Sequence, residues 1–298
     1  MTDASGNYSF VVNGGGSYTV TPSKGPVPPA GPGINNVDVL AIQRHFLAIA
    51  IIPAGCRLTA ADAVINGTVN NQDVIAVQRF FLGFTSGTGS VGQYKFVPAN
   101  RTYPTIGSNQ TGQDYSMYVV GDAAPAFVNR PAGGVSPDVA AGNDAGVQTV
   151  GTVALPTVRA DQSRAEFTAP VTTTAVDAQT NIVGFQGDIQ FDERELSFAS
   201  EPIQKAGLTS GNWNVAGNVL PGAGPIRTLR VSGFSNDFAP LSGQGTLFEL
   251  NVSHAGSRGT DLTWLAAPNN FLFIDADLNV QSPMSAGGGN ISAPWNQR

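Results

Sequence analysis

Two stretches of this chain carry nearly the same text: "INNVDVLAIQRHFLAI" (Ile34 to Ile49) and "VNNQDVIAVQRFFLGF" (Val69 to Phe84). Nine of the sixteen aligned positions are identical, namely Asn, Asn, Asp, Val, Ala, Gln, Arg, Phe and Leu. The apolar residues Val39, Leu40, Ile42, Phe46 and Leu47 recur as Val74, Ile75, Val77, Phe81 and Leu82. That spacing draws an apolar stripe along one helix face. Asn35 and Asn70 can cap the helix starts, with Asp38 and Asp73 three residues later at the positive helix end. The duplication therefore predicts two helices, near 36 to 49 and 71 to 83, packed on each other as a small core. Packing alone accounts for such a pair, with no ligand.

The text before the second helix also overlays on a calcium loop. Asp62 takes the first position, Asn66 the fifth, Gly67 the turn glycine, Thr68 the carbonyl position, Asn70 the ninth and Asp73 the twelfth. Val64 stands third and offers no ligand, so two carboxylates remain and affinity should be weak. In the first copy the early positions fall on Val27, Pro29 and Gly31, which excludes a conventional site. Ca2+ is thus open as a cofactor in the second loop only, and no other cofactor is expected.

Outside the repeat the chain reads as β. Charged residues make up 12%, against about 25% in ordinary soluble domains. The 36 glycines and 20 prolines suit short strands joined by turns, as in sandwiches and barrels. Residues 7 to 21, "NYSFVVNGGGSYTVT", predict two strands around a glycine turn, and strand text resumes over Gln93 to Asp122. Residues 123 to 151 are Ala-, Gly- and Pro-rich and predict a linker. From Thr152 onward, "NIVGFQGDIQFD", "IRTLRVSGF", "GTLFELNVS" and "FLFIDADLNV" are the clearest strands. A net charge of −6 gives no reason to bind nucleic acid. No apolar run is long enough for a membrane span. The opening "MTDASGNYSF" lacks the features of a signal peptide. A single cysteine, Cys56, excludes an internal disulfide and suits a buried structural thiol.

On these motifs, residues 33 to 84 resemble a type I dockerin, the duplicated loop–helix module that plugs into cohesin domains. The resemblance implies calcium-stabilised folding and partner contacts from Asn36, Val37 and Arg44 in the first copy, and from Asn71, Gln72 and Arg79 in the second. "NIVGFQGDIQFDERELSF" (Asn181 to Phe198), "GQGTLFELNV" and "GGGNIS" are similar to a cohesin, a jelly-roll β-sandwich that receives a dockerin on one sheet face. Gly184 and Gln186 then stand where dockerin contacts lie, implying apolar and backbone-mediated recognition. "TDASGNYSFVVNGGGSYTVTPSK" and "YKFVPANRTYPTIGSNQTGQDYSMYV" look like parts of a carboxypeptidase-regulatory-like or Cna-B-like sandwich. The resulting expectation is mainly β with a small α insert. An immunoglobulin-like split β-sandwich (1–24 and 91–122), lacking its opening strands, holds a helix-pair insert (25–90). A linker (123–151) and a cohesin-like jelly-roll sandwich (152–298) follow.

Catalytic signatures are absent. His45 and His254 are the only imidazoles, and no nucleophile elbow, zincin motif or phosphate loop occurs. The acids of "GDIQFDERE" invite a paired-carboxylate reading, but Asp188, Gln190 and Asp192 alternate with Ile189 and Phe191, as on a half-buried strand with a wet polar face. Six glycosylation sequons are expected from composition alone. A chain with plug-like and socket-like modules suggests a non-enzymatic extracellular or cell-surface protein that joins copies of itself head to tail, with donated strands reinforcing the link. The alternative is a scaffold or accessory module of a larger surface or polysaccharide-degrading complex, binding other cohesin- or dockerin-bearing chains. A third reading is a carbohydrate-binding jelly roll using Trp213 or Trp264, which leaves polysaccharide open as a partner.

Overall fold

The computed structural model describes residues 2–3, 5–124, 150–159, 166–256, 258–267 and 270–292. Most of the expected linker therefore lies outside the described residues. The described residues are mainly β with three α-helices: α1 (Asn36–Phe46), α2 (Cys56–Ala61) and α3 (Asn71–Phe81).

Both long helices begin as their sequences require. The Asn35 and Asn70 side chains accept from the amides of Val37 and Gln72, while Asp38 and Asp73 return a bond to each cap amide. These are two identical capping boxes. The helices end at Phe46 and Phe81, three and two residues short of the expected ends. Beyond the first, Ala48 takes a left-handed φ of 57°. The six-residue α2 has no counterpart in the sequence reading.

Four short strands flank the helices: β1 (Tyr18–Val20), β2 (Tyr94–Val97), β3 (Arg101–Tyr103) and β4 (Ser116–Val119). They form two separate antiparallel ladders, β1 with β3 and β2 with β4. No closed sandwich forms there among the described residues. Of the two strands expected over 7 to 21, only Tyr18–Val20 forms. Residues 8–12 make no backbone hydrogen bond to another described backbone group, although the Tyr8 hydroxyl donates to the Gln113 carbonyl and its ring lies 6.1 Å from that of Tyr115.

The remaining strands are β5 (Val153–Ala154), β6 (Thr157–Arg159), β7 (Phe167–Val176), β8 (Ile182–Asp192), β9 (Leu196–Lys205), β10 (Trp213–Val219) and β11 (Ile226–Ser235). These are followed by β12 (Gly243–Ala255), β13 (Thr260–Trp264), β14 (Leu272–Asp275), β15 (Val280–Gln281), β16 (Ala286–Gly287) and β17 (Gly289–Ser292). One sheet runs β10-β11-β8-β13-β17-β6, with β14 and β15 also attached through β8. The other runs β16-β5-β7-β12-β9. The two enclose a core of Val171, Phe185, Ile189, Leu229, Phe248 and Leu250. Phe185 stacks on Trp213, Phe248 and Phe271, with ring centroids 5.6–5.9 Å apart. Trp213 is therefore a core residue with no face open to a sugar. Trp264 packs edge-on against Phe271 at 4.9 Å.

A second core joins the helices to the back of the first sheet. Val39, Leu40, Ile42, Val74, Val77 and Phe80 pack with Tyr118 and Val120 behind β4, and also with Val183, Phe234 and Ile274 of the sandwich. Strand β8 is consequently buried on both faces along nearly its whole length. The expectation of a wet polar face at Asp188 is overturned, since that face is covered by the helices and Asp188 is buried.

Replacing Phe185 with Ala removes the ring that three aromatics stack upon. The cost should be about 3–5 kcal/mol of stability, read from urea unfolding followed by tryptophan fluorescence.

Candidate docking interface

The contact between the helix pair and the β10-β11-β8 face is the most elaborate polar surface among the described residues. Along α1, Asn36, Leu40 and Gln43 lie on one side at spacings of four and three, the pattern that aligns side chains on a helix. Asn36 is fully buried and each of its groups finds a partner. Its amide N–H donates to Gln186 Oε1 at 3.0 Å. Its Nδ2 donates to the carbonyls of Phe185 (3.1 Å) and Gly233 (2.9 Å). Its Oδ1 accepts from Ser232 Oγ at 2.8 Å. Phe185 and Gly233 are cross-strand partners in β8 and β11, so one side chain bridges two strands of the sheet.

One turn on, Leu40 needs the space that Gly184 leaves. A Cβ at Gly184 would approach Leu40 Cδ1 to 2.7 Å, closer than real side chains come. Gln43 Nε2 then donates to the carbonyl of Ser235 at 3.0 Å. Helix α3 presents the matching glutamine: Gln78 Nε2 donates to Asn214 Oδ1 (3.0 Å) and Ser232 Oγ (3.2 Å). Just beyond α3, Asn218 Nδ2 donates to the Leu82 carbonyl at 2.9 Å.

The electrostatic centre is Arg230 on β11. Its Nε and Nη2 donate to the two carboxylate oxygens of Asp188, both at 2.8 Å. Its Nη1 donates across the interface to the carbonyls of Ala30 (3.1 Å) and Phe81 (3.2 Å). The guanidinium also lies 4.9 Å from the centre of the Phe81 ring. The planar five-donor fork suits this work in a way a lysine does not. Both partners are buried, so the pair is isolated from solvent and from screening salt.

Of the partner residues expected from sequence, Asn36, Gly184 and Gln186 come together here, within one chain. Val37 is buried in the second core. Arg44 sits at the edge, 3.8 Å from Asp277. Asn71 and Gln72 are exposed. Arg79 turns to the Ser86 carbonyl (2.9 Å) and lies over the Phe84 ring. Sequence reasoning missed Gln43, Gln78, Asn218 and Arg230. The two glutamines had a signal, being the same residue at the same point of both repeats.

The calcium-loop residues are bonded to the loop itself. Asp62 accepts from the amides of Asn66 (3.0 Å) and Gly67 (2.8 Å). Asn66 Oδ1 accepts from the Thr68 amide and hydroxyl, while Asn70 Oδ1 accepts from the Gln72 amide. Asp73 accepts from the amides of Val64 (3.0 Å) and Asn70 (2.8 Å).

The acids of "GDIQFDERE" are engaged in ion pairs. Beyond Asp188, hydrogen bonds from Arg194 pull the Asp192 carboxyl down to about 2. Glu195 is lowered by the backbone amide and then the side chain of Arg258. Lowered carboxyls are the opposite of the raised general acid that glycoside hydrolysis requires. His45 Nδ1 accepts from the Ile52 amide at 3.0 Å, a loop-packing role. The side chain of His254 lies outside the described residues.

Neither protein-family models nor curated proteins match this chain. Among solved structures, it is similar to the sixth cohesin of Acetivibrio cellulolyticus scaffoldin B, solved with the Cel5 dockerin (15% identity, 49% of this chain, 99% of that one, TM-score 0.37). It is also similar to the OlpA cohesin–Doc918 complex of Clostridium thermocellum (12%, 49% and 99%, TM-score 0.37). A cohesin module of a Clostridium perfringens family 33 glycoside hydrolase aligns likewise (12%, 49% and 98%, TM-score 0.39). At these scores the likeness carries no weight beyond itself, and the sandwich rests on its own strand order and register.

Arg230→Met leaves Asp188 buried without its partner and should cost about 3–5 kcal/mol. The double variant Asp188→Leu/Arg230→Met should recover the larger part of that loss, because an apolar pair of similar volume replaces the ions. Urea denaturation measures both. Faster hydrogen exchange in α1 and α3 of the single variant would locate the damage at the interface.

Proposed function

We propose that this chain is a non-enzymatic extracellular or cell-surface structural protein that links copies of itself through strand pairing. Its helix pair acts as a brace on its own sandwich. The observation that carries this reading is the segment "NYSFVVN" (Asn7 to Asn13). It is rich in strand-forming residues, yet it has no ladder partner among the described residues. Phe10, Val11 and Val12 are 60%, 102% and 40% exposed. Together with Tyr18, Tyr103 and residues 106–114, the segment lines an open groove of about 750 Å³. An exposed apolar segment that joins no ladder, at a groove, is a template for another strand.

The cis contact bears on how copies join. Asn36 and Gln186 already satisfy each other inside one chain, so head-to-tail docking of helices on a neighbour's sheet requires the pair to leave its own. Strand exchange at the groove requires no such release. A link between two unlike surfaces propagates as an open filament unless its rotation closes a ring.

Light scattering and negative-stain microscopy of the full chain test this. Concentration-dependent oligomers or filaments are expected, and Val11→Pro should reduce them to monomers with the circular dichroism spectrum unchanged, since proline withdraws a donor from any new ladder. A monodisperse monomer at high concentration would overturn self-assembly. It would leave the accessory-module reading, in which the groove takes a strand from a different chain.

A further inference from the structure

We infer that the helix pair folds and docks without a divalent cation, its two repeat-equivalent acids, Asp38 and Asp73, being held by backbone amides. This inference is independent of the assembly reading. As they stand, the residues that the second loop's spacing assigns to calcium do not fit a calcium site. Val64 supplies no side-chain ligand at the third position, and its amide N–H faces Asp73 Oδ1 at 3.0 Å. The other Asp73 oxygen is held by the Asn70 amide at 2.8 Å. The carboxylate that ends a calcium loop typically binds the ion with both oxygens, whereas here each accepts an amide N–H. Among the described residues no group of three His, Cys, Asp or Glu side chains is gathered to hold a metal.

The first copy repeats the arrangement with a different partner. Asp38, fully buried, gives one oxygen to the Asn35 amide at 3.0 Å. The other accepts from the amides of Ala123 (2.9 Å) and Ala124 (3.0 Å). Those amides belong to the segment leaving β4, so Asp38 pins the exit of the β2–β4 ladder onto the start of α1. Where a first loop would run, residues 27–31 are tied elsewhere: the Val27 amide donates to the Gly92 carbonyl and the Ala30 amide to the Phe80 carbonyl, both at 2.9 Å. Three amides plus a helix N-terminus stabilise a buried carboxylate charge. The equivalent acid in each repeat thus performs one job, collecting the amides of its own cap and of a neighbouring segment.

Thermal melting of the full chain in excess EDTA and in millimolar calcium tests the inference, with calcium uptake followed by titration calorimetry. Superimposable melts and no stoichiometric uptake are expected. Asp73→Asn should lower the midpoint by several degrees, by the same amount in both buffers, because an amide side chain offers one acceptor where the carboxylate offers two. A midpoint that falls in EDTA for the unsubstituted chain, or uptake of one calcium per chain lost in Asp73→Asn, would overturn it. The unsubstituted chain alone decides the matter even if the variant does not fold.

Discussion

Asp188 and Arg230 sit between two layers of structure that each depend on what the pair does. Taking both ions out of water is expensive, and their mutual attraction recovers that cost only with good geometry and further hydrogen bonds to the remaining donors. Arg230 has both: Nε and Nη2 hold Asp188, and Nη1 donates to the carbonyls of Ala30 and Phe81 beside the end of α3. The helices therefore complete the sheet's electrostatics, and the sheet supplies donors that the helix ends lack. With the helices lifted away, Arg230 would lose the carbonyls of Ala30 and Phe81, and Asn36, Gln78 and Asn218 would lose their present partners. Such a contact is polar in its specificity and apolar in its bulk, with Leu40, Phe234 and Ile274 filling the space between the hydrogen bonds.

The duplication shows how two near-identical sequences come to different ends. Their caps, acids and glutamines behave alike: Asn35 with Asn70, Asp38 with Asp73, Gln43 with Gln78. Their tips do not. Phe81 and Leu82 are buried against the sandwich, while Phe46 and Leu47 are exposed. The sequence of each tip is equally apolar, so the difference comes from position on the sheet. The sheet takes α1 from Asn36 to Gln43 and α3 from Gln78 to its end.

Much of this was legible beforehand for a physical reason. Helix caps and apolar stripes are local, so α1 and α3 could be placed within a turn from residues adjacent in sequence. Strand identity from Ile182 onward was equally readable from alternation. The covering of Asp188 was not, because alternation specifies that one face of β8 is polar and says nothing of whether water or another layer lies against it. Arg230 was invisible for the same reason, its role depending on carbonyls some two hundred and one hundred and fifty residues away. The segment at 7–13 was read as a strand from propensity, yet it joins no ladder among the described residues, and pairing is something no local pattern encodes.

The sequence distance across the docking contact has a consequence for how the chain is made. Asn36 and Gly233 meet across a sequence separation of 197, and translation at about 5–20 residues per second separates their emergence by roughly 10–40 s. Through that interval α1 and α3 have each other and the β4 ladder, but not the sheet that buries Leu40 and Gln43. The early half of the protein must survive as a partly clothed intermediate, with its apolar seam turned outward, until β11 arrives to cover it.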